Sequence, residues 1–66
     1  MKIAVAFLTE EARASAEFFA EMLAARLPGF AVELYDKPVE PGDHPDIDNW
    51  GPACVLYVGL GGESYA

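Results

Sequence analysis

The sequence predicts an α/β domain, built from a small and mainly parallel sheet of three strands with one main helix. Two segments, residues 3–8 and 53–60, are apolar almost throughout, which is typical of strands covered on both faces. A helical pattern and then an alternating segment lie between them along the chain. The length of 66 residues allows one domain, covering residues 1–66.

The first predicted strand is IAVAFL, residues 3–8, in which every position is apolar. Side chains alternate between the two faces of a strand, so every second residue shares a face. One of these faces carries smaller side chains on average, namely Ala4, Ala6 and Leu8. We expect this smaller face to accept a closely packed helix.

The main helix is predicted to begin after Thr9 and to end at Pro28-Gly29. A threonine hydroxyl is a common N-cap, and Glu10 and Glu11 suit the positive end of the helix dipole. Proline cannot continue the helix, and glycine favours the exit turn. Apolar residues recur at spacings of three and four and are expected to face the core. They are Ala12, Ala16, Phe19, Met22, Leu23 and Leu27, widened by Phe18.

The segment FAVELY, residues 30–35, alternates between apolar and more polar residues, which predicts an edge strand. A linker follows over residues 36–52 and holds four of the five prolines. We expect a short helical turn near residues 45–50. The large apolar anchors of the linker are Val39, Ile47 and Trp50. The apolar segment 53–60 then predicts a third strand.

The strand, helix and strand of the first 35 residues predict a βαβ unit with a right-handed crossover. The predicted strand order is 2-1-3, with the first strand in the middle. This arrangement resembles the opening half of flavodoxin-like, or Rossmann-like, doubly wound folds. The likeness is architectural and implies little about function.

The formal net charge of −7 argues against partners that are themselves polyanions. Nucleic acid and anionic membrane surfaces would be repelled by such a chain. The first apolar run is shorter than the core of a signal peptide, and no stretch approaches the roughly 20 residues of a membrane span. We therefore expect a cytoplasmic protein. The lone Cys54 is expected to be buried and inert.

One candidate ligand site lies where the first and third strands end, because doubly wound sheets bind ligands at such a switch point. Its residues are Thr9, Glu10, Gly61, Gly62 and Ser64. Glycines allow backbone N–H groups to approach a phosphate. The segment GLGGES nevertheless lacks the lysine of a P-loop and the spacing of a dinucleotide fingerprint, so no cofactor is predicted.

The segment GESYA, residues 62–66, resembles the nucleophile elbow of serine carboxypeptidases. The resemblance implies that Ser64 would be a nucleophile on a tight strand-to-helix turn. In that family the acid and the histidine follow the serine, whereas the only histidine here, His44, precedes it. A serine needs a positioned base to act as a nucleophile, and these residues do not make a complete catalytic set.

A candidate metal site lies in DHPDID, residues 43–48. Three carboxylates and one imidazole, from Asp43, His44, Asp46 and Asp48, are suitable ligands for a divalent cation. The spacing differs from that of an EF-hand loop, which needs a glycine at its sixth position. The alternative is an acidic, solvated loop whose aspartates and prolines form turns.

Two functions remain open from the sequence. One helix covers one face of a three-stranded sheet, and the other face has only the linker to shield it. An exposed sheet face or edge promotes association, which predicts a homodimer or a longer chain. The first hypothesis is a small non-enzymatic module that self-associates through this face or edge. The alternative is a ligand-binding or hydrolase-type fragment of a doubly wound domain, with its site at the ends of the first and third strands.

Overall fold

A computed structural model describes residues 1–59 and the backbone of residues 64 and 65. A 3-10 turn, Glu10–Ala12, leads directly into the main helix. In chain order the elements are β1 (Lys2–Phe7), α1 (Arg13–Arg26), β2 (Ala31–Leu34), α2 (Pro45–Trp50), β3 (Cys54–Val58) and β4 (Ser64–Tyr65). None of the helices in this described part of the chain is long and apolar enough to cross a membrane.

The four strands form one sheet in the order β2-β1-β3-β4. β1 lies in the middle and pairs in parallel with both β2 and β3. The predicted order 2-1-3 of three parallel strands with one main helix is therefore confirmed. The sequence did not predict β4, which pairs antiparallel with β3.

The face of the sheet that packs against α1 is the one with the larger side chains. Val5, Phe7 and Val58 form a buried cluster with Ala12 and Ala16 of the helical segment. Alanines on α1 let the helix approach a sheet surface built from large residues. The face with the smaller side chains Ala4 and Ala6 accepts a helix as expected, and this helix is α2, which packs there through Ile47.

The outer part of α1 also differs from the sequence prediction. Phe18 is 66% exposed rather than part of the core, while Phe19 and Met22 are half-buried. Phe18 lies two residues from the buried Ala16, which places it roughly 200° around the helix. It therefore points away from the sheet, and the side chains that complete the buried face are Ala20 and Leu23.

The linker and α2 cover the opposite face of the sheet, which the sequence predicts to be left largely exposed. Ala4, Ala6 and Ile47 form the buried cluster there, with Trp50 and Val39 packed against it. The predicted helical turn is α2, which begins at a proline and ends at Gly51. Gly51 adopts a left-handed conformation with φ of 75°, which favours glycine at a helix C-terminus.

Cys54 is exposed, so the prediction of a buried thiol is wrong. It is the first residue of β3 and pairs with Ile3 at the end of the sheet where the linker enters. The strand end is open to solvent there because α1 lies mainly over β1 and β2.

Candidate functional site

His44 and Tyr57 make the most deeply placed polar contact in the described part of the chain. His44 immediately precedes α2 and is only 6% exposed. Its Nε2 makes a short hydrogen bond with the hydroxyl of Tyr57 on β3, and the same hydroxyl accepts a hydrogen bond of 3.2 Å from the backbone N–H of Gly42. The pair therefore fastens two points of the linker to the sheet.

The other ring nitrogen of His44 faces Asp48, one helical turn further along α2. His44 Nδ1 and Asp48 Oδ1 are 3.2 Å apart, within the range of an ion pair if the ring is protonated. The geometry does not satisfy that of a hydrogen bond, so Nδ1 is enclosed without such a partner among the described residues.

The four predicted metal ligands do not converge on one point. His44 is engaged by Tyr57, and Asp46 accepts a hydrogen bond of 3.2 Å from the hydroxyl of Tyr35. Within the described part of the chain, no group of three or more His, Cys, Asp or Glu side chains is arranged to hold a metal ion. Binding of a cation by Asp43, His44, Asp46 and Asp48 stays a prediction that gains no support from this geometry.

A second polar cluster lies where β1 ends, at the predicted switch point. Arg13 Nε and Nη2 donate two hydrogen bonds of 2.8 Å to the carboxylate of Glu10. Arg13 Nη2 also donates to the backbone oxygen of Asp36, and its guanidinium lies 4.7 Å from the centre of the Phe7 ring. The hydrogen bonds from Arg13 lower the pKa of Glu10, and they raise the pKa of Arg13.

Thr9 and Glu10 follow β1, and Glu10 lies in the first turn of the helical segment, as predicted. The Thr9 side chain makes no capping hydrogen bond, and its hydroxyl oxygen is enclosed without a partner among the described residues. Glu10 is occupied by Arg13. Gly61 and Gly62 lie outside the described residues.

Ser64 is described by its backbone only, and it belongs to β4, where it pairs with Val58. A strand position differs from the strand-to-helix turn that the serine carboxypeptidase resemblance implies.

An open cavity of about 190 Å³ lies beside α2, and sequence reasoning did not find it. It is lined by Ala4, Glu33, Tyr35, Asp46, Ile47 and Trp50. The signal available in the sequence was the wetter face of β2 together with the only tryptophan, but their proximity depends on how the linker folds back. The arrangement combines an apolar floor with aromatic rings and carboxylates, which suits binding rather than bond cleavage.

Comparison of the chain with protein-family models, with curated proteins and with solved structures finds no match. The function must therefore be inferred from the geometry of the sites themselves.

Proposed function

We propose that this chain is a small, acidic, non-enzymatic module of the cytoplasm that self-associates as a homodimer. The contact we favour is an apolar surface on the outer side of α1, which we call the α1 patch. It consists of Ala14, Ser15, Phe18, Phe19 and Met22, which line one shallow groove. This position revises the part of the sequence hypothesis that concerns the sheet face, because α2 and the linker cover that face. Association through a sheet edge stays a prediction.

The exposure of Phe18 is the observation that carries the proposal. A large aromatic side chain that is 66% exposed beside Phe19 and Met22 keeps apolar area in water. Burying such area stabilises a contact by about 25 cal/mol per Å². In a two-fold symmetric dimer each copy contributes the same patch, so each side chain of the patch is buried twice, once on each copy.

The sheet has a second apolar region on the side of the molecule that carries α1. Leu56 pairs with Val5 and is half-buried, and α1 lies mainly over β1 and β2 rather than over β3. Uncovered apolar surface on one side of a sheet favours association with another copy. Leu56 and the α1 patch therefore support a contact on the α1 side of the molecule.

Analytical ultracentrifugation of the purified chain over a range of concentrations tests this proposal. We expect a monomer–dimer equilibrium in the wild type. The double variant Phe18→Ser, Met22→Ser should weaken association by at least about tenfold, because it removes apolar burial on both copies. The matched control Ala24→Ser changes an exposed residue of α1 outside the patch and should leave association unchanged. A wild-type chain that stays monomeric at all concentrations overturns the proposal.

The ligand-binding or hydrolase-type alternative, like the flavodoxin-like likeness, stays a prediction. The observation in its favour is the enclosed hydroxyl of Thr9 at the end of β1. Amide chemical shifts of Thr9 and Glu10 during titration with inorganic phosphate test the binding form. Loss of esterase activity in Ser64→Ala tests the hydrolase form. Shifts that do not change, together with an unaltered rate in that variant, would remove the alternative.

A further inference from the structure

We infer that the cavity beside α2 is a binding site for an alkylammonium group. We call this cavity the α2 pocket; it is lined by the six residues given above. It lies on the Ala4 and Ala6 side of the sheet, opposite α1, so the inference is independent of the proposed self-association.

The floor of the α2 pocket is apolar and fixed. Ala4 and Ile47 are each 3% exposed and belong to the same buried cluster. Trp50, half-buried, packs against this cluster from α2. A short aliphatic chain placed on this floor would replace water at an apolar surface, which is favourable.

Two aromatic rings of the pocket already attract ammonium groups from this chain. Lys2 Nζ lies 5.2 Å from the centre of the Trp50 ring, and Lys37 Nζ lies 5.8 Å from the centre of the Tyr35 ring. These distances are within the range of cation–π attraction. Neither lysine lines the pocket, so the interior remains open to a ligand.

The charged residues that line the pocket are two carboxylates, whereas the ammonium groups of Lys2 and Lys37 lie outside the lining. Glu33 and Asp46 both line it, and Asp46 is positioned by the hydroxyl of Tyr35 at 3.2 Å. A whole-chain charge of −7 adds attraction for cations and repulsion for anions. The combination of apolar floor, aromatic rings and carboxylates matches an ammonium head on a short alkyl stem, and it disfavours an anion or a neutral polar ligand.

The size of the pocket limits the ligand. A volume of about 190 Å³ is smaller than the roughly 300–1,000 Å³ of pockets that hold drug-sized molecules. A four-carbon amine or one lysine side chain is of the right order. A ligand with so few atoms gains little binding free energy in an open pocket, so we expect a dissociation constant in the millimolar range.

The experiment is a titration followed by fluorescence of Trp50, the only tryptophan of the chain. The probe is n-butylammonium at constant ionic strength, with n-butanol and butyrate as neutral and anionic counterparts. We expect saturable binding of the ammonium in the millimolar range and weaker binding of both counterparts. Equal responses to n-butylammonium and n-butanol, or no response to the ammonium, would overturn the inference.

Variants locate the site. Glu33→Gln and Asp46→Asn should each weaken binding of n-butylammonium by about threefold or more, because each removes one nearby charge. Lys37→Gln should tighten it, because a competing cation leaves Tyr35. The matched control Glu21→Gln removes one exposed carboxylate on α1, across the sheet, and should change binding by less than about twofold. Equal effects of Glu21→Gln and Glu33→Gln would contradict a local site.

Three further measurements complete the design. An acetylated and amidated Gly-Gly-Lys-Gly-Gly peptide is compared with n-butylammonium. Tighter binding of the peptide identifies a protein lysine as the source of the ammonium group, and tighter binding of the amine identifies a free amine.

The patch variant Phe18→Ser, Met22→Ser should bind n-butylammonium as the wild type does, so failure of self-association and failure of this inference are distinguishable. Urea midpoints of Glu33→Gln and Asp46→Asn that match the wild type exclude unfolding as the cause of weaker binding.

Discussion

Tyr57 fastens the linker to the sheet, because its hydroxyl contacts both His44 and the backbone of Gly42. Tyr57→Phe would leave the buried His44 Nε2 without this partner. We expect a loss of about 1–3 kcal/mol in the free energy of unfolding, which is typical when a buried polar group loses its hydrogen bond. Urea denaturation measures this loss.

The matched control for this prediction is Tyr35→Phe. The hydroxyl of Tyr35 bonds to Asp46, which is exposed and can exchange that hydrogen bond for water. Its removal should cost about 1 kcal/mol or less. Equal losses in the two variants would show that the contact between His44 and Tyr57 does not fasten the linker.

Glu10 gives a prediction about pH. Hydrogen bonds from Arg13 hold the pKa of Glu10 below its ordinary value of 4.5. A carboxylate whose pKa is lower in the folded state stabilises the fold above the unfolded-state pKa and loses that contribution as the pH falls through the folded-state pKa. Glu10→Gln should therefore be less stable than the wild type at pH 7, and the difference should shrink as the pH falls below 4.5.

Urea midpoints of both proteins at neutral and acidic pH measure this change. Glu21→Gln is the control for the loss of one exposed carboxylate on the same helix. A difference between Glu10→Gln and the wild type that grows as the pH falls would give the opposite sign and refute the assigned role of Arg13.

The sequence named His44 as a polar candidate but could not predict its environment. The ring contacts Tyr57, which is 13 positions away on another element. Only the folding of the linker across the sheet brings them together. Local spacing among the aspartates indicated metal ligands because neighbouring residues were the only partners visible in the sequence.

Helix α2 is held to the sheet by one side chain above all. Ile47 is the buried residue of α2, and it packs with Ala4 and Ala6. Ile47→Ala should lower the free energy of unfolding by about 2–5 kcal/mol and Ile47→Val by about 0.5–1.5 kcal/mol, since each removes buried methyl or methylene groups. Unfolding followed by circular dichroism measures both losses.

The control for this series is Asn49→Ala, on the exposed side of the same helix. It should change the free energy of unfolding by no more than about 0.5 kcal/mol. An unchanged midpoint in Ile47→Ala would mean that α2 does not contribute to covering the sheet.

The elements were predictable to different degrees, for physical reasons. β1 and β3 are apolar on both faces, and short apolar runs of this kind favour strands of a parallel sheet. The rotation of α1 was not predictable, because apolar residues from Ala20 round to Phe18 span roughly 200° of the helix. Either half of this apolar arc could face the sheet and still match the helical spacing of three and four residues. The strand β4 has two residues and pairs through its backbone, so it leaves no pattern in the sequence.

The whole molecule is small and strongly charged, and this combination makes its association depend on salt. Two copies that each carry a charge of −7 repel one another, while the α1 patch itself contains no ionisable side chain. The screening length shortens from roughly 30 Å at 0.01 M salt to about 3 Å at 1 M. The dissociation constant of the dimer should therefore fall severalfold between about 0.02 and 0.5 M sodium chloride.

Ultracentrifugation at several salt concentrations measures the dissociation constant directly. The variant Phe18→Ser, Met22→Ser separates association through the patch from general precipitation by salt, because it should associate at least about tenfold more weakly than the wild type. A dissociation constant that rises with salt would indicate that ion pairs hold the copies together, and the α1 patch would not be the contact. Dissociation constants that are the same in the wild type and the variant at every salt concentration would likewise exclude the patch. Apolar contact between two acidic copies requires a wild-type constant that falls with salt and stays at least about tenfold below that of the variant at each salt concentration.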